Sequence, residues 1–132
     1  MTLAMALCCA FASGAGAATS KDEYKAQKAQ IRADYKAAKD KCGPLKGNAR
    51  DVCSAQAKGS YEVARAELQA RQEPSPRHDA KLKTERAEAD YKVARQKCED
   101  LKGGAQDACK KDAKAAYGAA KGDAKAAKAA ST

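Results

Sequence analysis

The sequence predicts an all-α protein of two tandem helical hairpins, each stapled by a disulfide, with a Pro-containing linker and a low-complexity helical C-terminal tail. Three observations support this prediction: strong helix formers dominate the chain, its second half repeats its first, and its cysteines recur at equivalent places. Ala supplies about a quarter of the 132 residues, and 26 more are Lys or Arg. Ala, Lys, Glu, Gln and Arg form helices at the lowest free-energy cost.

The internal repeat appears when the chain is shifted along itself by 56 residues. Residues 34–67 then align with residues 90–123, and almost half of the aligned positions are identical. Self-similarity at such a period indicates one supersecondary unit that is present twice. The identical positions include Tyr35 and Tyr91, Cys42 and Cys98, the Leu-Lys-Gly blocks 45–47 and 101–103, Cys53 and Cys109, and Tyr61 and Tyr117.

Residues 1–18 are predicted to be a secretory signal peptide. A stretch of ten apolar residues precedes small residues that suit signal peptidase, so cleavage is expected near Ala17 or Ala18 and the mature protein is expected in the periplasm. The stretch is too short to span a membrane, and no Lys or Arg precedes it. Either the start codon is misplaced or the terminal amine supplies the positive charge that usually precedes such a stretch. The alternatives to a signal peptide are lipoprotein processing at Cys8 or Cys9 and an uncleaved disordered tail.

The four remaining cysteines are predicted to form two disulfides, because an even number in an oxidising compartment indicates a disulfide framework. Four cysteines allow three connectivities. The repeat favours Cys42–Cys53 and Cys98–Cys109, since each unit then carries its own staple, which the chain-entropy model values at about 3 kcal/mol. The spacing within each pair exceeds the roughly two to four residues of structural zinc sites, so disulfides are favoured over zinc.

Hairpin repeat 1 is predicted over residues 19–73. Its first helix is expected to begin with a capping box at Ser20 and to end at Gly43–Pro44. Asn48 is the expected N-cap of the second helix, with Asp51 in its first turn. The larger side chains follow one face of each helix: Tyr24, Ile31, Tyr35, Ala38 and Cys42, then Cys53, Ala57, Tyr61, Ala64 and Leu68.

Residues 74–79 are predicted to be an extended linker because prolines interrupt the helical pattern. Hairpin repeat 2 follows over residues 80–118, with Gly103–Gly104 as its turn, and residues 119–132 are an Ala/Lys-rich helical tail. The predicted inner faces of the two helices of repeat 2 consist of Leu82, Ala87, Tyr91, Ala94 and Cys98, then Cys109, Ala113, Tyr117 and Ala120.

Large apolar side chains are scarce in the predicted mature chain. Residues 19–132 contain one Ile, four Leu, three Val and no Phe, about 7%, whereas a highly charged chain below roughly 20% is expected to be disordered. We therefore expect the disulfides to decide whether the hairpins persist, so that reduction lowers helicity and accelerates proteolysis.

No catalytic site, metal site or cofactor is predicted, and enzyme activity is not expected. His78 is the single histidine, has only Asp79 nearby, and is expected to be a solvated loop residue. The five tyrosines could serve as stacking platforms for bases or sugars, but their helical spacing favours core packing. They are Tyr24, Tyr35, Tyr61, Tyr91 and Tyr117.

The net charge of +9, from 26 Lys and Arg against 17 Asp and Glu, is the remaining functional signal. A basic helical segment attracts polyanions without sequence specificity. The predicted contacts are Lys110, Lys111, Lys114, Lys121, Lys125 and Lys128.

The compartment decides which partner such a surface meets. In the periplasm we expect envelope proteins or anionic envelope components as partners, and we expect neither nucleic acid nor a transmembrane span. The alternatives are a cytoplasmic nucleic-acid-binding protein with a histone-H1-like tail, a stress- or storage-like helical protein without a fixed ligand, or a purely solubilising charge. The helix faces are not apolar enough to insert into a bilayer.

Two sequence blocks carry a family resemblance. Both blocks occur at residues 34–53 and again at residues 90–109. The first block is Asp-Tyr-Lys-x-Ala-(Lys/Arg)-x-Lys-Cys, and the second is Leu-Lys-Gly-(Asn/Gly)-Ala-x-Asp-x-Cys. The pair resembles small Ala/Lys-rich secreted proteins of Burkholderia- and Ralstonia-like β-proteobacteria, often labelled cell envelope biogenesis protein TolA because their composition is similar to the central helix of TolA. The resemblance implies a role in the cell envelope and carries over no site residues.

Overall fold

The computed structural model describes residues 20–130. The predicted signal peptide, with Cys8 and Cys9, lies outside the described residues. Residues 20–130 form four α-helices and no strand, which confirms the all-α prediction. The helices are α1 (Lys21–Cys42), α2 (Gly47–Gln72), α3 (Pro76–Cys98) and α4 (Gly103–Ala129).

The four helices lie side by side in an open antiparallel row. Contacts join α1 to α2, α2 to α3 and α3 to α4, so that within residues 20–130 each helix packs only against its neighbours in the chain. Hairpin 1 (α1 and α2) therefore packs against hairpin 2 (α3 and α4) through the two central helices. The sequence analysis predicted the two hairpins but not the packing between them.

The predicted beginning and end of α1 are confirmed. The Ser20 hydroxyl accepts a hydrogen bond from the Glu23 amide at 3.2 Å, and the Ser20 amide donates to Glu23 Oε2 at 2.8 Å. This capping box satisfies amide groups that have no partner within the helix. The helix ends at Cys42, two residues before Pro44, whose ring nitrogen has no hydrogen to donate.

The start of α2 differs from the prediction. The N-cap is Lys46, which makes no side-chain hydrogen bond, and no acidic residue occupies the first turn, so Asp51 lies beyond it. Asn48 lies inside the helix and its side chain contacts α3. Gly47 begins the helix with a φ of 55°, which glycine adopts without steric cost.

The turn of hairpin 2 has the same geometry one repeat later. Gly103 has a φ of 59° and begins α4, so the turn is formed by residues 99–102 and not by Gly103–Gly104 as predicted. The positive φ at both helix starts explains why glycine occupies the last position of the Leu-Lys-Gly block in both repeats.

The connection between the hairpins is shorter than the predicted linker at residues 74–79. Only residues 73–75 lie between α2 and α3. Ser75 is the N-cap and accepts a hydrogen bond from the His78 amide at 3.2 Å, and Pro76 is the first helical residue. Proline suits this position because its fixed φ matches the helix and the amide there needs no helical acceptor. A tight connection of this kind holds α2 against α3.

The predicted tail at residues 119–132 is not a separate segment where it is described. The last helix continues without a break to Ala129, and Ala124 is only 2% exposed. Ala124 is the repeat equivalent of Leu68, which is also 2% exposed in hairpin 1. The end of α4 therefore packs as the end of α2 does, with a smaller side chain.

The central helices approach each other most closely at Gly59. A Cβ atom at Gly59 would lie 2.8 Å from the Ala89 Cβ and 3.3 Å from its Cα. The repeat equivalent of Gly59 is Ala115, which lies exposed on the edge helix α4. Glycine is therefore present where the two helices are in close contact, and alanine is present at the equivalent position that faces solvent.

Polar side chains also join the two central helices. Their equivalents on the edge helices differ, since Gly104 replaces Asn48 on α4 and Gln30 replaces Arg86 on α1. This interface is consequently specific to the middle of the row. Its hydrogen bonds run from Asn48 Nδ2 to Gln96 O (2.7 Å), from Arg86 Nη2 to Glu67 Oε1 (2.6 Å) and from Lys81 Nζ to Gln69 Oε1 (3.1 Å).

Candidate functional site

A disulfide closes each hairpin next to its turn, as predicted. Cys42 bonds to Cys53, and Cys98 bonds to Cys109, with Cα–Cα distances of 5.6 and 5.7 Å. The first bond joins α1 to α2 and the second joins α3 to α4. Disulfides persist in oxidising compartments and are rare in reducing ones, so the pairing indicates an oxidising environment.

Stacked tyrosines extend the contact within each hairpin beyond the disulfide. Tyr35 stacks on Tyr61 and Tyr91 stacks on Tyr117, in both cases with ring centroids 4.7 Å apart. The Tyr117 hydroxyl also donates to Glu88 Oε1 at 3.3 Å. These four rings are half-buried, and their pairing supports the interpretation of core packing.

A cation from the next helical turn lies against each of these rings. The four cations form two repeat-equivalent pairs, Lys39 with Arg95 and Arg65 with Lys121. Contacts of this kind contribute roughly 0.5–1 kcal/mol at exposed sites. With one face stacked and a cation nearby, the rings are poorly placed to receive a ligand. The contacts are Lys39 on Tyr35 (5.6 Å), Arg65 on Tyr61 (5.5 Å), Arg95 on Tyr91 (5.7 Å) and Lys121 on Tyr117 (5.2 Å).

The structure divides the six lysines predicted to contact polyanions. Lys110 forms an ion pair with Glu99 at 3.0 Å, next to the turn of hairpin 2. Lys111 and Lys114 are exposed on the surface of α4 and line no groove. The other three (Lys121, Lys125 and Lys128) line a groove between α4 and the beginning of α3.

This groove, here called the basic groove, lies at the end of hairpin 2 that is farthest from the disulfide and has a volume of about 550 Å³. Five cations line it and no Asp or Glu does. Its remaining walls are small and largely apolar. The lining residues are Arg77, Ala80, Lys81 and Thr84 from α3, and Lys121, Gly122, Ala124, Lys125 and Lys128 from α4.

Hairpin 1 has a smaller groove at the equivalent place, here called the first groove, with a volume of about 260 Å³. Two carboxylates and two large side chains line it, so it is both more filled and closer to neutral. Its lining residues are Tyr24, Lys28, Glu62, Arg65, Ala66, Leu68, Gln69, Lys81 and Glu85.

Sequence reasoning missed two of the five cations of the basic groove. Arg77 was assigned to the linker, and Lys81 lies forty residues before the lysines that it joins. Only the antiparallel packing of α3 on α4 brings them together. The repeat alignment contains a signal for the groove, because Lys125 and Lys128 align with the neutral Gln69 and Gln72. Positive charge is therefore present at this end of hairpin 2 where hairpin 1 has none at the equivalent positions.

His78 is not the solvated loop residue that we expected. It lies in the first turn of α3, its side chain is 15% exposed, and its Nδ1 atom lies 2.6 Å from the Glu73 carbonyl oxygen. The ring therefore closes the connection between α2 and α3. Residues 20–130 contain no cluster of three His, Cys, Asp or Glu side chains placed to hold a metal ion.

None of the four helices, as far as the structure describes them, has the long apolar stretch that crossing a bilayer requires. Comparisons of the chain with protein-family models, with curated proteins and with solved structures find no match.

Proposed function

We propose that this chain is a periplasmic, non-enzymatic helical protein that binds or spaces anionic components of the cell envelope. The observation that carries the proposal is the pair of disulfides, one in each hairpin, because such bonds persist in an oxidising compartment. The signal peptide at residues 1–18, with cleavage near Ala17 or Ala18, belongs to the same proposal.

The form of the molecule supports an interaction role. Four helices in an open row expose a large surface area relative to the number of residues. The two disulfides limit the motion of the edge helices α1 and α4. The charge of +9 is concentrated in part at the basic groove, where it attracts anions. The resemblance to the secreted β-proteobacterial proteins is included in this proposal and is consistent with an envelope role.

Fractionation of the native host, followed by intact-mass analysis and non-reducing peptide mapping, tests the proposal. The expected result is a periplasmic protein whose N-terminus follows Ala17 or Ala18, with Cys42 bonded to Cys53 and Cys98 bonded to Cys109. A cytoplasmic protein with its leader intact and its thiols reduced contradicts it. In that case, salt-dependent binding to DNA would favour the nucleic-acid alternative.

A further inference from the structure

The basic groove holds a concentration of positive charge that no carboxylate in the described residues balances. No ion pair within residues 20–130 involves any of its five cations. Other Lys side chains of the same two helices do form ion pairs, as Lys110 does with Glu99 and Lys92 with Glu88. A cleft lined by one sign of charge raises the local concentration of its counter-ions.

Helix electrostatics do not explain the whole cluster. Lys128 lies in the last turn of α4, where the helix macrodipole favours a cation. Arg77 lies in the first turn of α3, where the macrodipole disfavours one. Lys81 lines both grooves, and its ammonium group donates a hydrogen bond to Gln69 of the first groove. Its three hydrogens leave donors for a ligand, but the other four cations supply most of the charge of the basic groove.

The floor of the basic groove is apolar. Ala80 and Ala124 are 8% and 2% exposed, and Gly122 leaves space because a Cβ atom there would meet nothing within 4 Å. Thr84 lines the floor with its hydroxyl donated to the Ala80 carbonyl at 2.9 Å. A ligand that fits both rim and floor carries an anionic group next to an apolar portion.

The first groove shows that this combination is specific to hairpin 2. There, Tyr24 and Leu68 stand at the positions of Ala80 and Ala124 and fill the space. Glu62 and Glu85 share the first groove with three cations, so its net charge is +1 against +5 for the basic groove. The two repeats have the same fold, and they differ in the space and charge at this one end.

We propose that the basic groove binds the phosphate groups of anionic phospholipids at a membrane surface. This inference rests on the proposed function, because the oxidising compartment determines which polyanions the protein meets. A phospholipid matches the cationic rim and the apolar floor together, whereas a soluble polyphosphate matches only the rim. Binding is peripheral, with the headgroup phosphates between Arg77 on one helix and Lys125 and Lys128 on the other.

Co-sedimentation of the full oxidised chain with vesicles tests the groove. The probes are vesicles of phosphatidylglycerol mixed with phosphatidylcholine, vesicles of phosphatidylcholine alone, and soluble polyphosphate. We expect salt-dependent binding to the anionic vesicles, none to the neutral ones, and weaker binding to polyphosphate. Absence of binding to the anionic vesicles, or stronger binding to polyphosphate, overturns the inference and leaves the compartment measurement of the proposed function unaffected.

Two double variants that lose the same positive charge distinguish binding at the basic groove from non-specific attraction of the whole basic protein to the vesicles. Lys125→Gln with Lys128→Gln gives α4 the residues that hairpin 1 carries, and Lys111→Gln with Lys114→Gln changes exposed positions outside the groove. At about 1 kcal/mol per basic residue near an anionic surface, the groove variant should bind about 30-fold more weakly. The control should lose much less. Equal losses in both variants overturn the groove as the site.

Gly122→Leu tests the apolar floor without changing charge. Gly122 is exposed on α4, so the leucine fills the groove and also improves helix propensity. We expect weaker binding to anionic vesicles with unchanged affinity for polyphosphate, and unchanged helical circular dichroism shows that the fold is intact. Unchanged vesicle binding, or an equal loss with both probes, contradicts a lipid occupant.

Discussion

Replacement of Gly59 by alanine tests the packing between the two hairpins. In an exposed helix interior, Gly→Ala stabilises by about 1 kcal/mol. At Gly59 the new Cβ would lie 2.8 Å from the Ala89 Cβ, a rigid methyl group that cannot rotate away, so the two helices must separate. Overpacking of this kind costs about 1–3 kcal/mol, so Gly59→Ala is expected to be neutral or destabilising by up to about 2 kcal/mol.

Gly118→Ala is the matched control. Gly118 lies inside α4, and a Cβ there would meet nothing within 4 Å, so the same substitution is expected to stabilise by about 1 kcal/mol. The two variants should therefore differ by about 1–3 kcal/mol, with each kcal/mol shifting the melting temperature by roughly 4 °C in a domain of this size.

Urea and thermal denaturation of the oxidised protein, followed by circular dichroism, measure this difference. The double variant Gly59→Ala with Ala89→Gly removes the methyl group that the new Cβ meets. It should therefore be more stable than the sum of the two single effects predicts. If Gly59→Ala stabilises as much as Gly118→Ala does, α2 and α3 do not meet at this point and the reasoning is refuted.

Two further predictions concern the polar and aromatic contacts. Asn48→Ala removes the cross-helix hydrogen bond to the Gln96 carbonyl, which still accepts from the Glu99 amide, and should lower the free energy of unfolding by about 0.5–1.5 kcal/mol. Arg50→Ala, at an exposed position of the same helix, should change it little, and equal effects would contradict the contact. Tyr91→Leu keeps the apolar bulk but removes a ring stack and a cation contact, and should cost about 1–2 kcal/mol in the same denaturation assay. A cost no greater than that of Tyr24→Leu, whose ring has no stacked partner within residues 20–130, would argue against the stacks as stabilising contacts.

The contacts within each hairpin could be predicted because the repeat places their residues in register. Cys42 and Cys53, together with Tyr35 and Tyr61, lie on the inner faces of adjacent helices, and the same pattern recurs one repeat later. The capping box at Ser20 is a local signal that depends on a few neighbouring residues. For these elements, helical period and spacing were sufficient.

The packing between the hairpins could not be predicted, because its signals lie where the two repeats differ. Gly59 aligns with Ala115 and Asn48 with Gly104, and a search for identities passes over such positions. Pro76 was interpreted as a helix breaker although it begins α3, since proline interrupts a helix interior but suits its first residue. The basic groove was missed for the related reason that its cations come from two helices.

The structure also changes what the disulfides are expected to do. Direct packing and three side-chain hydrogen bonds hold the central helices together, whereas α1 and α4 each have a single neighbour and one disulfide. Loss of a staple worth about 3 kcal/mol should therefore affect the edge helices first. The sequence alone predicts instead that reduction weakens both hairpins as a whole.

Amide hydrogen exchange of the oxidised and the reduced protein, resolved by peptide mass spectrometry, tests this account most directly. We predict that reduction removes most of the protection of α1 and α4, while α2 and α3 keep measurable protection around Gly59 and Ala89. Equal loss of protection in all four helices, or loss in α2 and α3 before α1 and α4, would contradict an open row with a packed centre and stapled edges.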